Sequence, residues 1–266
     1  MKTALITGAT SGIGKEMAIY LHNHGWELIL TGRNSEVLRR MARRFGGHTR
    51  SIALDLSERG AAEKLIAFCE GTQIDFLINN AGFGVFGDFI DTPLEDELEL
   101  IEVNIRTLHI LTKHFLREMV RRDSGTILNV GSVAGFCTGP LLSSYYASKN
   151  YVVRLTTAIR EELRRRGSNV RIGVLCPGPV DTNFNNRAGV SFSAPPASPA
   201  RVAAYGIEHA LAGDCIILPG LAIKLGWLVM QATPETIAAR FVYEFQKRKT
   251  GSANGQNAPT VQNTEA

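Results

Sequence analysis

The chain has 266 residues, of which 44% are hydrophobic, and this suits one large α/β domain with a sizeable core. Its 29 basic and 25 acidic residues give a net charge of +4, and no aromatic residues interleave with the short arginine clusters, so nucleic-acid binding is not expected. The four cysteines lie far apart and form no CxxC pair, which argues against a metal site or disulfide framework and indicates a reducing compartment.

Neither end of the chain predicts a membrane anchor. The first apolar strand begins near Thr3, which leaves no room for a signal leader, so we expect a cytoplasmic protein. The most apolar late stretch, residues 215–232, is interrupted by Pro219, Gly220, Lys224 and Gly226. This pattern predicts a pocket cover or buried segment rather than a transmembrane helix.

A glycine-rich turn follows the first predicted strand, residues 3–7, and precedes a helical pattern over residues 15–24. Glycines let the backbone approach a pyrophosphate, whose charge then meets the free N–H groups at the helix N-terminus. An ordinary tight turn is the alternative. The residues expected to contact a cofactor here are Gly8, Thr10, Ser11, Gly12, Ile13 and Gly14.

The second predicted strand, residues 26–31, ends in Gly32 and Arg33. An acidic side chain at this position would bind the adenosine ribose hydroxyls of NAD and repel the extra phosphate of NADP. An arginine instead forms charge-assisted hydrogen bonds with that phosphate, and Gly32 leaves space for it. The strand end therefore favours NADP over NAD.

Two further strand ends carry polar residues. After the third strand, residues 49–54, Asp55 and Leu56 are expected beside the bound adenine, although Asp55 or Ser57 as a helix N-cap is an equal alternative. The fourth strand, residues 75–78, continues into Asn79, Asn80, Ala81 and Gly82. This turn is expected either to pack against the cofactor ribose or to hold the central sheet together.

The middle of the chain adds two polar residues to the predicted crevice. Two helical runs between residues 92 and 122 join near Asn104, which is either a buried asparagine or a residue that bends the helix and binds a water. The fifth strand, residues 125–130, ends at Ser132, whose hydroxyl points into the crevice where ligands bind at the carboxyl ends of parallel strands.

Tyr145 and Lys149 stand four residues apart, which places them on one face of a helix. A free phenol has a pKa of about 10, and a fixed neighbouring ammonium lowers it by favouring the phenolate. Tyr145 would then be usable as an acid and a base. The adjacent Tyr146 has Asn150 at the same spacing and lacks this partner. By itself such a pair is more often a solvated helix face.

The carboxyl-terminal third begins with a sixth strand, residues 170–175, and a turn containing Pro177, Gly178, Val180 and Thr182, where Thr182 is suited to bind a carboxamide. Residues 183–199 read as a long loop. A helix over residues 201–212, a last strand over 215–218 and a helix over 234–249 follow. We expect one domain over residues 1–249 and a disordered tail over 250–266.

Taken together, the motifs in residues 3–249 resemble the short-chain dehydrogenase/reductase family in its single-domain form. The first turn matches its cofactor motif, residues 79–82 its sheet motif, and Tyr145 with Lys149 its active-site motif; Pro177, Gly178 and Thr182 match its nicotinamide-binding turn. The resemblance implies a Rossmann-type doubly wound parallel sheet of about seven strands with helices on both faces. It also implies a catalytic set of Asn104, Ser132, Tyr145 and Lys149, the last two also binding the cofactor.

The resemblance further implies an NADP-dependent oxidoreductase that interconverts a carbonyl compound and its alcohol, with Lys149 lowering the pKa of Tyr145. The largely apolar predicted pocket favours a lipophilic ketone, such as a ketoacyl or steroid-like compound. Helix faces over residues 105–119 and 151–163 are expected to form a homo-oligomer, a dimer or a tetramer. Many NADP-using members carry a basic residue where this chain has Ser11, which leaves phosphate recognition to Arg33.

Two other functions compete with this one. A catalytically silent NADP-binding protein that regulates a partner or senses redox state would be favoured by loss of a catalytic residue, and all four are present. An epimerase or dehydratase of the sugar-nucleotide branch usually has a differently spaced glycine motif and a longer carboxyl-terminal domain.

Overall fold

The computed structural model describes residues 1–181 and 197–251, with side chains as far as Lys247. Its main element is a set of short strands, of which the central ones are almost entirely buried and the third along the chain, at one edge, is partly exposed. Their hydrophobic and β-branched residues favour a sheet covered on both faces. The strands are β1 (Thr3–Thr7), β2 (Glu27–Gly32), β3 (Thr49–Ala53), β4 (Phe76–Asn79), β5 (Thr126–Val130), β6 (Arg171–Leu175) and β7 (Ile216–Ile217).

All seven strands lie in one parallel sheet with the order β3-β2-β1-β4-β5-β6-β7. The order runs outward from β1 to β3 on one side and outward from β4 to β7 on the other. The strand order therefore reverses between β1 and β4, and a crevice opens at their carboxyl ends. The doubly wound sheet predicted from the sequence is confirmed.

The helices alternate with the strands. Within the described residues they are α1 (Gly12–Asn23), α2 (Ser35–Phe45), α3 (Ala61–Phe68), α4 (Leu94–Ile101), α5 (Leu108–Arg121), α6 (Ser143–Arg165), α7 (Pro199–Ala212), α8 (Leu221–Ala232) and α9 (Glu235–Gly251). A π-helical turn, Glu102–Thr107, joins α4 to α5, and a 3-10 turn, Val133–Phe136, follows β5.

Two apolar cores cover the two faces of the sheet. On one face α1, α2 and α7 bury residues such as Met17, Leu38 and Ile207. On the other, α3, α5 and α6 bury residues such as Leu65 and Phe115. The prediction of helices on both faces of the sheet is confirmed, and each face is covered by an apolar core.

A chain of buried polar side chains ties the centre of the sheet to two helices. The Asn79 Nδ2 atom donates to Asn129 Oδ1 on the neighbouring strand at 2.9 Å and to Thr112 Oγ1 on α5 at 3.0 Å. Asn129 in turn donates to Thr156 Oγ1 on α6 at 2.9 Å. Of the two alternatives left open for this turn, Asn79 therefore holds the sheet together.

Of the two roles predicted for the late apolar segment, the structure agrees with a pocket cover and not with a buried segment, since Ile223 and Trp227 line a cleft. The segment forms α8, in which no residue is fully buried, and Leu221, Leu225 and Val229 are exposed. Only one side of α8 faces the protein, because the helix lies across the end of the crevice and not inside the sheet layers. No described helix is both long and apolar enough to cross a membrane.

Two predictions fall partly outside the described residues. Of the predicted loop, residues 183–196 lie outside, while Ala197 pairs with Val180 and α7 already begins at Pro199. Of the predicted disordered tail, residues 252–266 lie outside, whereas residues 250 and 251 continue α9. The helical pattern of α9 therefore extends two residues beyond its expected end.

The apolar residues predicted to form an oligomer interface are used inside the chain. On α5, Leu111, Phe115 and Met119 pack in the core under the sheet, and on α6 Val152 and Leu163 do the same. The oligomer stays a prediction, and the apolar residues chosen for it belong to the core.

Candidate active site

A cleft of about 960 Å³ opens at the carboxyl ends of the central strands. The glycine-rich turn after β1 and the ends of β2 and β3 line one half of it. The turn after β5, the start of α6 and one side of α8 and α9 line the other half. The cleft thus lies where the strand order reverses, the position at which open α/β sheets bind ligands.

The turn between β1 and α1 brings backbone close to backbone. Gly8 has φ +65°, which non-glycine residues rarely adopt, and a Cβ on Gly14 would collide with the Asn80 amide and the Gly8 carbonyl. Ser11 precedes α1 without capping it by its side chain, so the first N–H groups of the helix remain available. This open helix end beside the cleft suits a phosphate.

Asn80 fixes this turn from the neighbouring strand. Its Nδ2 atom donates to the carbonyl oxygens of Thr7 at 3.0 Å and Gly8 at 3.1 Å, and its backbone N–H donates to Thr7 Oγ1 at 3.0 Å. Ala81 and Gly82 then line the cleft. Asn80 therefore supports the glycine-rich turn, while the two small residues after it border the cleft.

Arg33 lies at the rim of the cleft with its side chain 57% exposed, and its guanidinium is 3.9 Å from the Asp55 carboxylate. The space beside Gly32 is occupied by the Thr10 side chain, since a Cβ there would lie 2.9 Å from Thr10 Cγ2. A glycine at position 32 therefore allows close packing against Thr10, and its expected role of leaving space for a phosphate stays a prediction.

Asp55 caps a local turn. Its Oδ1 atom accepts from Ser57 N at 3.0 Å and Ser57 Oγ at 2.7 Å. Helix α3 begins later, after Gly60, so Asp55 is not the N-cap of that helix. Asp55 and Leu56 both line the cleft, at the end where the adenine was predicted.

Ser132, Tyr145 and Lys149 meet at the floor of the cleft. Ser132 follows β5, and its hydroxyl forms a hydrogen bond with the Tyr145 phenol. Lys149, one turn further along α6, is 5% exposed, and its Nζ atom donates to the Val130 carbonyl at 2.9 Å. The Lys149 Nζ atom lies 5.7 Å from the Tyr145 ring centroid.

Burial dominates the proton affinities of this group. It raises the pKa of Tyr145 to about 12, and the hydrogen bond with Ser132 opposes that rise. It also lowers the pKa of Lys149 to about 8. Desolvation of the phenol therefore outweighs the opposing hydrogen bond from Ser132. The expected lowering of the Tyr145 pKa by Lys149 stays a prediction.

Asn104 lies in the π-helical turn and is 1% exposed. Its Oδ1 atom accepts from Phe83 N at 3.1 Å, and its Nδ2 atom donates to Phe83 O at 2.9 Å and Ser148 Oγ at 3.0 Å. Ser148 Oγ donates to the Tyr145 carbonyl at 2.7 Å. Asn104 is therefore a buried asparagine, as the first alternative predicted. It also stands where the helix is irregular, as the second alternative predicted.

The sequence of the chain matches the family model described as short chain dehydrogenase over residues 2–190. The chain belongs to the short-chain dehydrogenase family. Members of this family are oxidoreductases that act on alcohol and carbonyl groups with a nicotinamide cofactor.

One relative of known sequence is similar over about two thirds of this chain. Dehydrogenase/reductase SDR family member 7B of Mus musculus is 34% identical over 194 residues, which are 69% of this chain and 59% of the mouse protein. The match thus spans about three fifths of that relative.

Solved structures of similar fold cover nearly the whole chain. A short-chain dehydrogenase from Sphingobium yanoikuyae in complex with NADPH has a TM-score of 0.79 at 24% identity and covers 100% of this chain and 99% of that one. A structure described in work on 7beta-hydroxysteroid dehydrogenase stereoselectivity has a TM-score of 0.81 at 25% identity, covering 91% of this chain and 96% of that one.

The residues of this short-chain dehydrogenase fit a nicotinamide dinucleotide. The glycine cradle and open N-terminus of α1 would hold the pyrophosphate, and Pro177, Gly178 and Val180 line the opposite end of the cleft. Of the predicted site residues, Thr182 lies outside the described residues. Gly14 and Asn104 support the cleft from behind, and the others line it.

The substrate end of the cleft contains residues that the sequence reasoning missed. The pocket cover predicted over residues 215–232 includes Trp227, which lines the cleft, but α9 was not predicted to line it. This helix contributes Phe241, Val242, Phe245 and Gln246. The sequence carried a signal for a buried side of α9, because the apolar residues Ala238 and Val242 stand four residues apart, but it carried none for Gln246.

Proposed function

We propose that this short-chain dehydrogenase uses NADP(H) to interconvert a lipophilic ketone or aldehyde and its alcohol. The observation that carries the proposal is the meeting of Ser132, Tyr145 and Lys149 at the floor of a cleft that joins a phosphate cradle to an apolar end. The cradle suits the cofactor, and the apolar end suits the substrate.

The chemistry assigned to the side chains follows from their contacts. When bound, the cofactor supplies or accepts the hydride. Tyr145 gives its proton to the carbonyl oxygen during reduction, and its raised pKa of about 12 keeps it protonated at neutral pH. Ser132, already bonded to the Tyr145 phenol, holds the same oxygen in line. Oxidation uses these groups in reverse, with Tyr145 as the base.

Lys149 and Asn104 organise this centre. Lys149 lies close to Gly82 and Asn104, since a Cβ on Gly82 would lie 3.3 Å from Lys149 Nζ and 2.9 Å from Asn104 Oδ1. We assign Lys149 to the nicotinamide ribose and to stabilising the phenolate when it forms. Asn104 positions the start of α6 through Ser148 and the cleft wall through Phe83.

The lipophilic substrate is inferred from the lining of the cleft. Away from Tyr145 the walls are mostly apolar and include Leu142, Ile223, Met230, Val242 and Phe245. Such walls favour an apolar body over a sugar or a charged acid. NADPH oxidation should be followed spectroscopically with ketones of graded length beside ketoses and keto acids. Equal or better turnover of the polar compounds would contradict the substrate class.

The preference for NADP rests on Arg33. Replacing Arg33 with Ala is expected to weaken NADPH binding by roughly ten- to a hundredfold and NADH binding far less, because hydrogen bonds to a charged group contribute about 1.5 to 3 kcal/mol. Calorimetric titration of both cofactors measures this. Arg40→Ala on the exposed side of α2 makes the same charge change outside the cleft and serves as the control. Equal losses for both cofactors would make Arg33 structural.

The homo-oligomer belongs to the same proposal. Its expected helices, α5 and α6, use their apolar residues in the core, so an interface on them would be largely polar. Sedimentation at micromolar concentration tests it, and a monomer would remove it. A silent NADP-binding protein is disfavoured because the three polar groups are brought together at the floor of the cleft.

A further inference from the structure

The last helix places one amide group in the wall of the cleft. Gln246 on α9 is 1% exposed and lines the cleft. Its Nε2 atom donates to the Tyr146 hydroxyl at 2.9 Å. Its Oε1 atom is buried and has no hydrogen-bond partner among the residues that the structure describes. The amide nitrogen therefore has a hydrogen-bond partner, and the buried carbonyl oxygen has none in the described chain.

Packing does not account for a glutamine at this position. The buried side of α9 runs through Ala238 and Val242 to Gln246. An apolar residue at position 246 would continue it without the free-energy cost of burying a polar group. The bond to Tyr146 explains why Nε2 is buried. It leaves the buried carbonyl oxygen unexplained, and a buried acceptor without a partner costs free energy.

Tyr146 connects this amide to the reacting centre. The rings of Tyr145 and Tyr146 are 6.1 Å apart between centroids and meet edge to face. Gly139 packs directly against the Tyr146 ring, where any Cβ would collide, so the ring is held in place. Gln246 is therefore linked to Tyr145 through Tyr146, by a hydrogen bond on one side and an edge-to-face ring contact on the other.

A second unsatisfied polar atom lies in the same wall. The indole N–H of Trp227, on α8, is buried without an acceptor in the described part of the chain. Trp227 packs against Phe136 and lines the cleft. The residues that line the cleft thus include one buried acceptor and one buried donor without a partner in the described chain, beside apolar residues such as Val242 and Phe241. A neutral hydroxyl, which both donates and accepts, suits these surroundings better than a charge.

We propose that Gln246, held by Tyr146, is a specificity-determining residue that accepts a hydrogen bond from a hydroxyl group of the substrate, remote from the reacting carbon. The substrate class is then a lipophilic ketone or alcohol that carries a second, unreactive hydroxyl. This inference rests on the proposed function, because it takes Tyr145 as the reacting end.

The experiment uses a series of straight-chain methyl ketones of graded length, each made with a terminal hydroxyl, a terminal methyl ether or a plain methyl end. The ether accepts but does not donate, so it isolates the bond to Oε1. Affinities are measured by calorimetry on the NADPH-bound protein, and kcat/KM by NADPH oxidation. At the length that spans the cleft, we expect the hydroxyl form to be preferred over the ether by about tenfold, the size of one hydrogen bond.

Two variants locate the preference. Gln246→Met keeps the length of the side chain and removes the amide, and it is expected to bring the ratio of hydroxyl to ether near one. The ratio is measured on a single preparation, so partial loss of folded protein cancels from it. Val242→Ala, one turn earlier in the same wall, is expected to weaken all three ligand forms and to leave the ratio as in the parent protein.

The outcomes separate this inference from the proposed function. A parent protein without preference at any length, or a Gln246→Met variant that keeps it, overturns the inference even when plain ketones are reduced. A preference seen in binding but without turnover of any ketone supports the role of Gln246 and counts against the proposed reaction.

Discussion

The two halves of the cleft are built in different ways. The cofactor half is formed by backbone at close approach, because Asn80 donates hydrogen bonds to the Thr7 and Gly8 carbonyls and Gly14 packs against Asn80 with no room for a Cβ. The substrate half is formed by side chains of α8 and α9, and no residue of α8 is fully buried. The first half admits few residue types at each position, whereas the second tolerates many. The difference predicts where substitutions abolish function and where they only retune it.

The junction of the two halves should be the most sensitive point. Tyr145→Phe removes the proton donor and keeps the ring, so turnover is expected to fall by about 10² to 10⁴ while NADPH binding changes little. Steady-state kinetics and a cofactor titration measure the two effects. Tyr146→Phe makes the same change on the substrate side and should cost much less, mainly in KM, because it removes only the bond to Gln246. A larger loss in the Tyr146 variant would reverse the assignment.

Lys149 should carry a stability cost that depends on pH. Its pKa is lowered from 10.5 to about 8 in the folded protein, so the unfolded chain binds more protons between these values and stability rises with pH across this window. Below about pH 8 the buried ammonium costs about 3 kcal/mol, at about 1.4 kcal/mol per pKa unit. Lys149→Met lacks this titration.

Urea unfolding of the protein without cofactor, from neutral pH to above pH 10.5, tests this expectation. The free energy of unfolding of the parent protein should gain about 3 kcal/mol relative to the Met variant across the window. Parallel curves would show that Lys149 titrates normally. The Met variant also lacks the hydrogen bond to the Val130 carbonyl. This loss shifts its free energy of unfolding by the same amount at every pH, so the pH dependence of the difference is unchanged.

Gly14→Ala tests how rigid the cofactor half is. The added methyl would displace Asn80 from the Thr7 and Gly8 carbonyls, and overpacking of this kind costs about 1–3 kcal/mol. Thermal unfolding should show lower stability, and NADPH affinity should fall because the turn is displaced. An unchanged melting temperature with normal affinity would show that the turn can yield.

Gly226→Ala is the matched change in the substrate half. A Cβ there meets nothing within 4 Å, and Gly226 lies inside α8. Alanine is favoured over glycine in a helix by up to about 1 kcal/mol, so a small rise in melting temperature is expected with cofactor binding intact. Destabilisation at this site would remove the contrast between the halves.

The same contrast explains what the sequence predicted. The strands and the cofactor turn follow from local apolar runs and glycine spacing, and Gly8, Asn80, Ser132 and Tyr145 all stand where these patterns placed them. Gln246 was missed because it meets Tyr146 from 100 residues away, and no local pattern encodes that contact. The rise in the pKa of Tyr145 that burial causes was not predicted, because desolvation depends on the packed surroundings and not on the spacing of two residues.

A short main-chain bridge joins the turn after β6 to the residues just before α7. Val180 and Ala197 form a parallel bridge, in which Ala197 N donates to Pro179 O at 3.0 Å and Asp181 N donates to Ala197 O at 3.2 Å. Both hydrogen bonds join main-chain atoms, so a change of side chain at Val180 or Ala197 leaves them in place. The start of α7 is therefore tied to the turn after β6 whichever side chains border the cleft there.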